Sequence, residues 1–213
     1  MAALTEEQSM IRDQAKSWTT EQAPVGKFRE MRDSEISTAF FPDTWSAMVE
    51  MGWTGIIIPE QYGGSDLGFL TFGVILEEIG RQLTASPLFA SSLVGASAVL
   101  LGGNDAQKQA VLPGIVDGSK ILTLALEEGP RHAPENTALV AEKKGDGYKL
   151  TGTLNFVKEG LSAPTFVMVD RTSGGLGDTH GLTRFLGDAN ESGMTTKQRK
   201  TDDRRGHAET DIG

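Results

Sequence analysis

The chain has 213 residues, 38% hydrophobic and 23% charged, with a formal net charge of -9. That length holds one large domain or two small ones with a real core, and the acidic balance argues against non-specific nucleic-acid binding, which needs a basic surface. Cysteine is absent, which excludes disulfides, thiolate metal sites and a Cys nucleophile, and is compatible with a reducing, cytoplasmic setting.

The N-terminus, Met1-Ala2-Ala3-Leu4-Thr5-Glu6-Glu7, lacks the basic and apolar regions of a signal peptide. Thr5-Glu6-Glu7-Gln8 has the form of a capping box, and Leu4, Ile11, Ala15 and Trp18 then recur on one helical face. Pro24 marks the end of that helix, and a polar link runs on to Phe40-Phe41-Pro42. Pro42 suits the first turn of a second helix, with Trp45, Met48 and Val49 as its apolar face and Gly52 as its stop. Ile56-Ile57-Ile58 reads as a short buried extended piece, halted by Pro59 and followed by a turn of unusual backbone geometry at Gly63-Gly64.

Phe72, Ile75, Leu76, Ile79 and Leu83 mark an amphipathic helix closed by Pro87. Leu88 to Leu101 is apolar nearly all round, which predicts a central, buried helix. It carries three serines and is shorter than the roughly 20 residues of a membrane span, so a membrane is not an expected partner. Asn104 to Gln107 is a second capping pair, opening a helix that Pro113 bends or ends. Residues 1–118 thus read as an all-α domain.

After Gly118 the period changes from helical to alternating. Ile121 to Leu126, Thr137 to Glu142, Tyr148 to Thr151, Thr153 to Val157 and Thr165 to Val169 are strand candidates, with a hairpin signal at Asp146-Gly147. Thr172 to Gly193 reads as loops around a short strand from Thr183 to Leu186, and Met194 to Gly213 supplies one or two more strands. Sequential short strands favour an antiparallel β-barrel or sandwich over 119–213, so the fold class is α+β and multi-domain.

Few residues carry chemistry of their own. His132, His180 and His207 sit in loop-like segments without metal-ligand spacing, so no metal site is expected. Glu127 and Glu128 are neighbours on a strand end and point to opposite faces, so they do not form a carboxylate dyad. Gly174-Gly175-Leu176-Gly177 lacks the strand, helix and Lys of a phosphate loop. The five basic residues between Lys197 and Arg205, interrupted by Asp202 and Asp203, read as a solvated mixed-charge segment.

Three stretches resemble the acyl-CoA dehydrogenase family. They are Met51-Gly52-Trp53-Thr54-Gly55-Ile56-Ile57-Ile58-Pro59-Glu60-Gln61-Tyr62-Gly63-Gly64, then Gly103-Asn104-Asp105-Ala106-Gln107-Lys108-Gln109-Ala110-Val111-Leu112-Pro113, then Lys143-Lys144-Gly145-Asp146-Gly147-Tyr148-Lys149-Leu150-Thr151-Gly152. Glu77-Glu78-Ile79-Gly80-Arg81 with Pro87 is similar to the branch that handles bulky acyl-CoA substrates. The resemblance implies a helical N-terminal domain, a β-barrel middle domain and a C-terminal helical domain, of which the 213 residues contain the first two, the β domain incomplete at its end. It implies FAD as cofactor, an acyl-CoA substrate dehydrogenated between Cα and Cβ in fatty-acid β-oxidation, electron-transfer flavoprotein as partner, and a homo- or hetero-oligomer. The glutamate base of most members belongs to the C-terminal domain, so no catalytic residue is expected here and this chain alone is expected to be inactive.

By the same resemblance the flavin contacts are Ala125, Leu126, Phe156, Val157 and Lys158, and His132 is the substrate-side residue. Leu126 stands where the family has a flavin-binding threonine, His132 where it has a serine, and Phe156-Val157-Lys158 where it has Trp-Ile-Thr. Those departures leave two other readings open: a degenerate, non-catalytic subunit of a heteromeric dehydrogenase, and a binding module without flavin.

Overall fold

A computed structural model describes residues 3–34, 36–199, 201 and 205–213. Met1 and Ala2 of the N-terminal reading, and Lys200, Asp202, Asp203 and Arg204 of the basic run, lie outside the described residues. The chain divides into two compact units, Met1–Ser119 and Lys120–Gly213.

The first unit is helical: α1 (Glu6–Gln22), α2 (Val25–Asp33), α3 (Pro42–Glu50), α4 (Gly68–Arg81), α5 (Ala96–Gly102) and α6 (Asp105–Val116). Both capping boxes form: the Thr5 hydroxyl accepts from the Gln8 N–H and the Asn104 side chain from the Gln107 N–H, each answered by the Gln side chain. Pro42 occupies the first turn of α3, and Gly52 takes φ 72° just beyond its end. Pro24 does end α1, but it also precedes α2, where a polar link was expected; the Lys27 N–H closes the first turn on the Pro24 carbonyl. That helix buries only Met31, so it has no apolar stripe for periodicity to find.

Ile56, Ile57 and Ile58 are buried as expected, yet they run through tight turns after a single 3₁₀ turn, Trp53–Gly55. The carbonyls of Gly55, Ile56 and Ile58 accept from the N–H groups of Ser65, Leu67 and Asp66. A Cβ on Gly64 would stand 1.9 Å from the Ile58 oxygen, so the chain folds back only because Gly64 has none. α6 runs on past Pro113 to Val116.

The Leu88–Leu101 stretch is a π-helical segment, Phe89–Gly95, leading into α5. It is buried along one side only. Its small residues, Ala90, Ser91, Ser92, Gly95 and Ala96, face inward, whereas Phe89 and Leu101 are exposed. Leu88 and Val99 are buried with them, so the buried side mixes small and large residues. Leu83 likewise falls outside α4, exposed and at φ 56°.

The second unit is a seven-stranded sheet: β1 (Leu122–Ala125), β2 (Val140–Lys144), β3 (Gly147–Val157), β4 (Thr165–Arg171), β5 (Leu182–Asp188), β6 (Met194–Gln198) and β7 (Ala208–Ile212). The helical-then-β class holds, with one correction: the sheet is mixed. β1 pairs parallel with β4, and β2 meets β4 parallel at Val140 and Arg171. The remaining pairs, β2–β3, β3–β7, β4–β5 and β6–β7, are antiparallel. The cause is the long connection over 126–139, which carries the chain from β1 to β2 without reversal, as parallel strands require.

The β2–β3 hairpin turns at Gly145-Asp146, one residue earlier than read, because Lys144 pairs with Gly147 and Gly145 takes φ 62°. Positive φ at the first loop position suits a type II′ turn. β3 is one strand rather than two. Gly152 does not turn it but takes φ 153°, with Leu139 packed where a side chain would stand. Up to Thr151 β3 pairs with β2, and from Gly152 onward with β7. Ala125, Leu139, Leu154, Val157, Phe166, Met168 and Ala208 form the core that this strand wraps.

Candidate cofactor site

Among the described residues β4 is the one strand that pairs with β1, so no ladder there takes up its other backbone edge. The last turn of β3 lies against its C-terminal end. The Thr123 hydroxyl donates to the Lys158 carbonyl (2.5 Å), the Asn155 N–H to the Glu127 carbonyl (2.6 Å), and Asn155 Nδ2 to the Glu128 carbonyl (2.9 Å). These bonds bring residues 125–128 and 155–158 into one place.

Within it the sequence-derived residues play different parts. Ala125 and Val157 are core residues, 0% and 2% exposed, so their side chains face inward. Ala125 has only its backbone to offer a ligand. Leu126, one residue past β1, lines a cavity of about 380 Å³ with Glu127, Pro130, Arg131 and Thr137. Lys158 is exposed. Phe156 is 41% exposed and lies where the β3–β7 register shifts between Leu154 and Val157. Its φ of 53° is left-handed backbone, strained for a bulky side chain and sustained only by what surrounds it.

His132 is not among the residues that line the cavity. It is 74% exposed, with Nδ1 2.5 Å from a Glu127 carboxylate oxygen. Glu128 turns the other way and accepts from the N–H groups of Ala138 (2.8 Å) and Leu139 (3.1 Å). The two carboxylates therefore diverge, Glu127 on the exposed loop and Glu128 stapling that loop to the approach of β2. No cluster of three His, Cys, Asp or Glu suited to a metal occurs among the described residues.

Two residues on β4 were not singled out from the sequence. Asp170 is fully buried, and neither carboxylate oxygen has a hydrogen-bond partner. Burial, and next the neighbouring Glu128 charge, push its pKa up to about 6. Arg171 is also buried. It donates to the carbonyls of Glu135, Thr137, Asp178 and His180, and so holds the 134–137 turn that carries the cavity's Thr137 wall. A charged dipeptide inside an otherwise apolar strand, Phe166-Val167-Met168-Val169-Asp170-Arg171, was the available signal. Asn155 was missed as well. It reads as one polar residue in a strand, and its two-sided bonding exists only once β1 and β3 meet.

No side chain here has the nucleophile and base of a self-contained catalyst. What these segments offer is backbone at the end of β1, an exposed aromatic ring at Phe156 and exposed cations at Lys158 and Arg131. A flat, hydrogen-bonding ligand that carries anionic groups matches those residues in kind, as FAD does with its isoalloxazine ring and diphosphate.

A family model described as "Acyl-CoA dehydrogenase, N-terminal domain" matches residues 5–119. Mitochondrial isovaleryl-CoA dehydrogenase of Pongo abelii is 31% identical over 201 residues, covering 92% of this chain and 47% of the relative. The chain spans about half the length of the curated relatives it matches. Among solved structures, the Tcur3481–Tcur3483 steroid ACAD superposes with a TM-score of 0.85 at 29% identity, over 98% of this chain and 55% of that one. The ChsE4–ChsE5 complex from Mycobacterium tuberculosis does so with a TM-score of 0.86 at 25% identity, over 100% and 56%.

Proposed function

The chain belongs to the acyl-CoA dehydrogenase family, and from that premise we propose that it is the N-terminal and middle part of a flavin-dependent enzyme that dehydrogenates an acyl-CoA thioester between Cα and Cβ. The observation that carries this reading is the fastening of 155–158 to 123–128, which brings the exposed Phe156 close to the end of β1.

When bound, FAD supplies the hydride acceptor. The chain's own residues bind and orient it. The backbone at Ala125 and Leu126 offers hydrogen bonds to the ring's polar edge, a role independent of side chain. Phe156 gives the ring a surface, Val157 buttresses Phe156 from the core, and Lys158 offers a cation. The exposed pair Arg131 and His132 favours the phosphates of the substrate or cofactor. The α-proton acceptor is not assigned to any residue of this chain, and electron-transfer flavoprotein is the electron acceptor the family implies.

The test is the visible absorption spectrum of the purified protein, before and after soaking with FAD and removing the excess. A retained flavin spectrum is expected. Absence of flavin both from this chain and from the protein expressed from its whole gene overturns the reading.

A second reading has its own support: the chain is the non-catalytic member of a two-component dehydrogenase. Leu126 and His132 stand in place of hydroxyl residues, and two of the similar structures are named as pairs of proteins. A homo-oligomer that turns over acyl-CoA without a partner rules it out.

A further inference from the structure

We infer that Arg199 is a positioning residue for FAD, a role that rests on the proposed flavin site. Read as sequence, Arg199 belongs to a solvated basic run. The structure gives it a different place. It follows β6 directly, and its N–H donates to the His207 carbonyl, extending the β6–β7 ladder by one bond. Its guanidinium then reaches back across the sheet. One nitrogen lies 2.5 Å from Glu209 Oε2, and the same group donates to Asn155 Oδ1 at 3.0 Å. The guanidinium carbon is 5.8 Å from the centre of the Phe156 ring.

Asn155 links this cluster to the cavity loop. Its side-chain oxygen accepts from Arg199 while its N–H and Nδ2 hold the carbonyls of Glu127 and Glu128. Glu209, Arg199, Asn155 and the Glu127-Glu128 backbone therefore form one chain of bonds, with Phe156 next in sequence to Asn155 and its ring beside the Arg199 guanidinium. That chain answers the question raised by the left-handed backbone of Phe156. A strained conformation persists only when its neighbours over-determine it. Val157 fixes one side by burial, and Asn155 with Arg199 fixes the other. The guanidinium fork suits this task because it serves a carboxylate, an amide oxygen and an aromatic face at once, which an ammonium does not. Arg199 thus acts on the flavin through Phe156 and Asn155, not by touching it.

The experiment compares Arg199→Met, Arg199→Lys and the unaltered chain. FAD dissociation constants are read by fluorescence quenching, together with the visible spectrum of the bound flavin. Loss of the aromatic contact and of a charge-assisted bond predicts FAD binding weaker by about tenfold in Arg199→Met. Arg199→Lys should recover part of that loss while thermal stability stays constant. Hydrogen exchange, followed by mass spectrometry on the apo protein, supplies an arm that needs no flavin. The amides of residues 155–158 should exchange faster in Arg199→Met, with the core strand β4 unchanged. Unaltered FAD affinity and unaltered exchange overturn the inference. If the parent chain binds no FAD, exchange alone decides whether Arg199 fixes Phe156, and the flavin reading is decided separately by the protein expressed from the whole gene.

Discussion

Replacing Asp170 by Asn tests the electrostatics of the interior of the β unit. Asp170 is buried with no hydrogen bond to either oxygen, and after burial the Glu128 charge, of like sign, acts on it. Raising an acid from 3.8 to about 6 corresponds to about 3 kcal/mol, at about 1.4 kcal/mol per tenfold change in proton affinity. The folded state holds the Asp170 proton more tightly than the unfolded chain. Its contribution to stability is therefore full below about pH 4 and lost as pH rises towards about 6. Asn is nearly isosteric and does not titrate. The variant and the parent should be about equally stable near pH 4, with the variant ahead by about 3 kcal/mol at about pH 7 and above. Urea unfolding followed by circular dichroism across that range measures the difference, and all other titrating groups cancel in it. Parallel pH profiles for the two proteins would show that Asp170 is solvated or paired in solution, and would refute the reasoning.

Two further substitutions separate fold from function. Gly64→Ala forces a methyl group against the Ile58 carbonyl, 1.9 Å away, and should cost at least about 3 kcal/mol in urea unfolding. Leu126→Thr adds a hydroxyl at the cavity edge and should tighten FAD binding by about fivefold, the worth of one net hydrogen bond. An unchanged dissociation constant would remove Leu126 from the flavin site.

The sequence by itself determined the parts whose causes are local. Capping at Thr5 and Asn104, the Pro42 start of α3 and the Gly52 stop each depend on residues within a few positions, so they were legible without any partner. The change from helical to alternating period near Gly118 likewise separated the two units. The family resemblance pointed to residues 125–126 and 156–158, and the fold does bring those segments together.

What only the tertiary structure decided depends on partners distant in the chain. The sheet is mixed because the 126–139 connection carries β2 round to lie parallel with β4, a pairing that leaves no mark on either strand's alternation. Gly152 reads as a break, yet it becomes the bend that passes β3 from β2 to β7, since Leu139 fills the space beside it. Val157 looks like a ligand-facing residue and proves to be core, because the bulge before it reorients the strand. Arg199 is a surface cation by sequence, and its link to Phe156 exists only after β6, β7 and β3 are side by side. Local chemistry is written in neighbouring residues, whereas a buried charge, a strand's direction or a ring's support belongs to whichever distant segment packs against it.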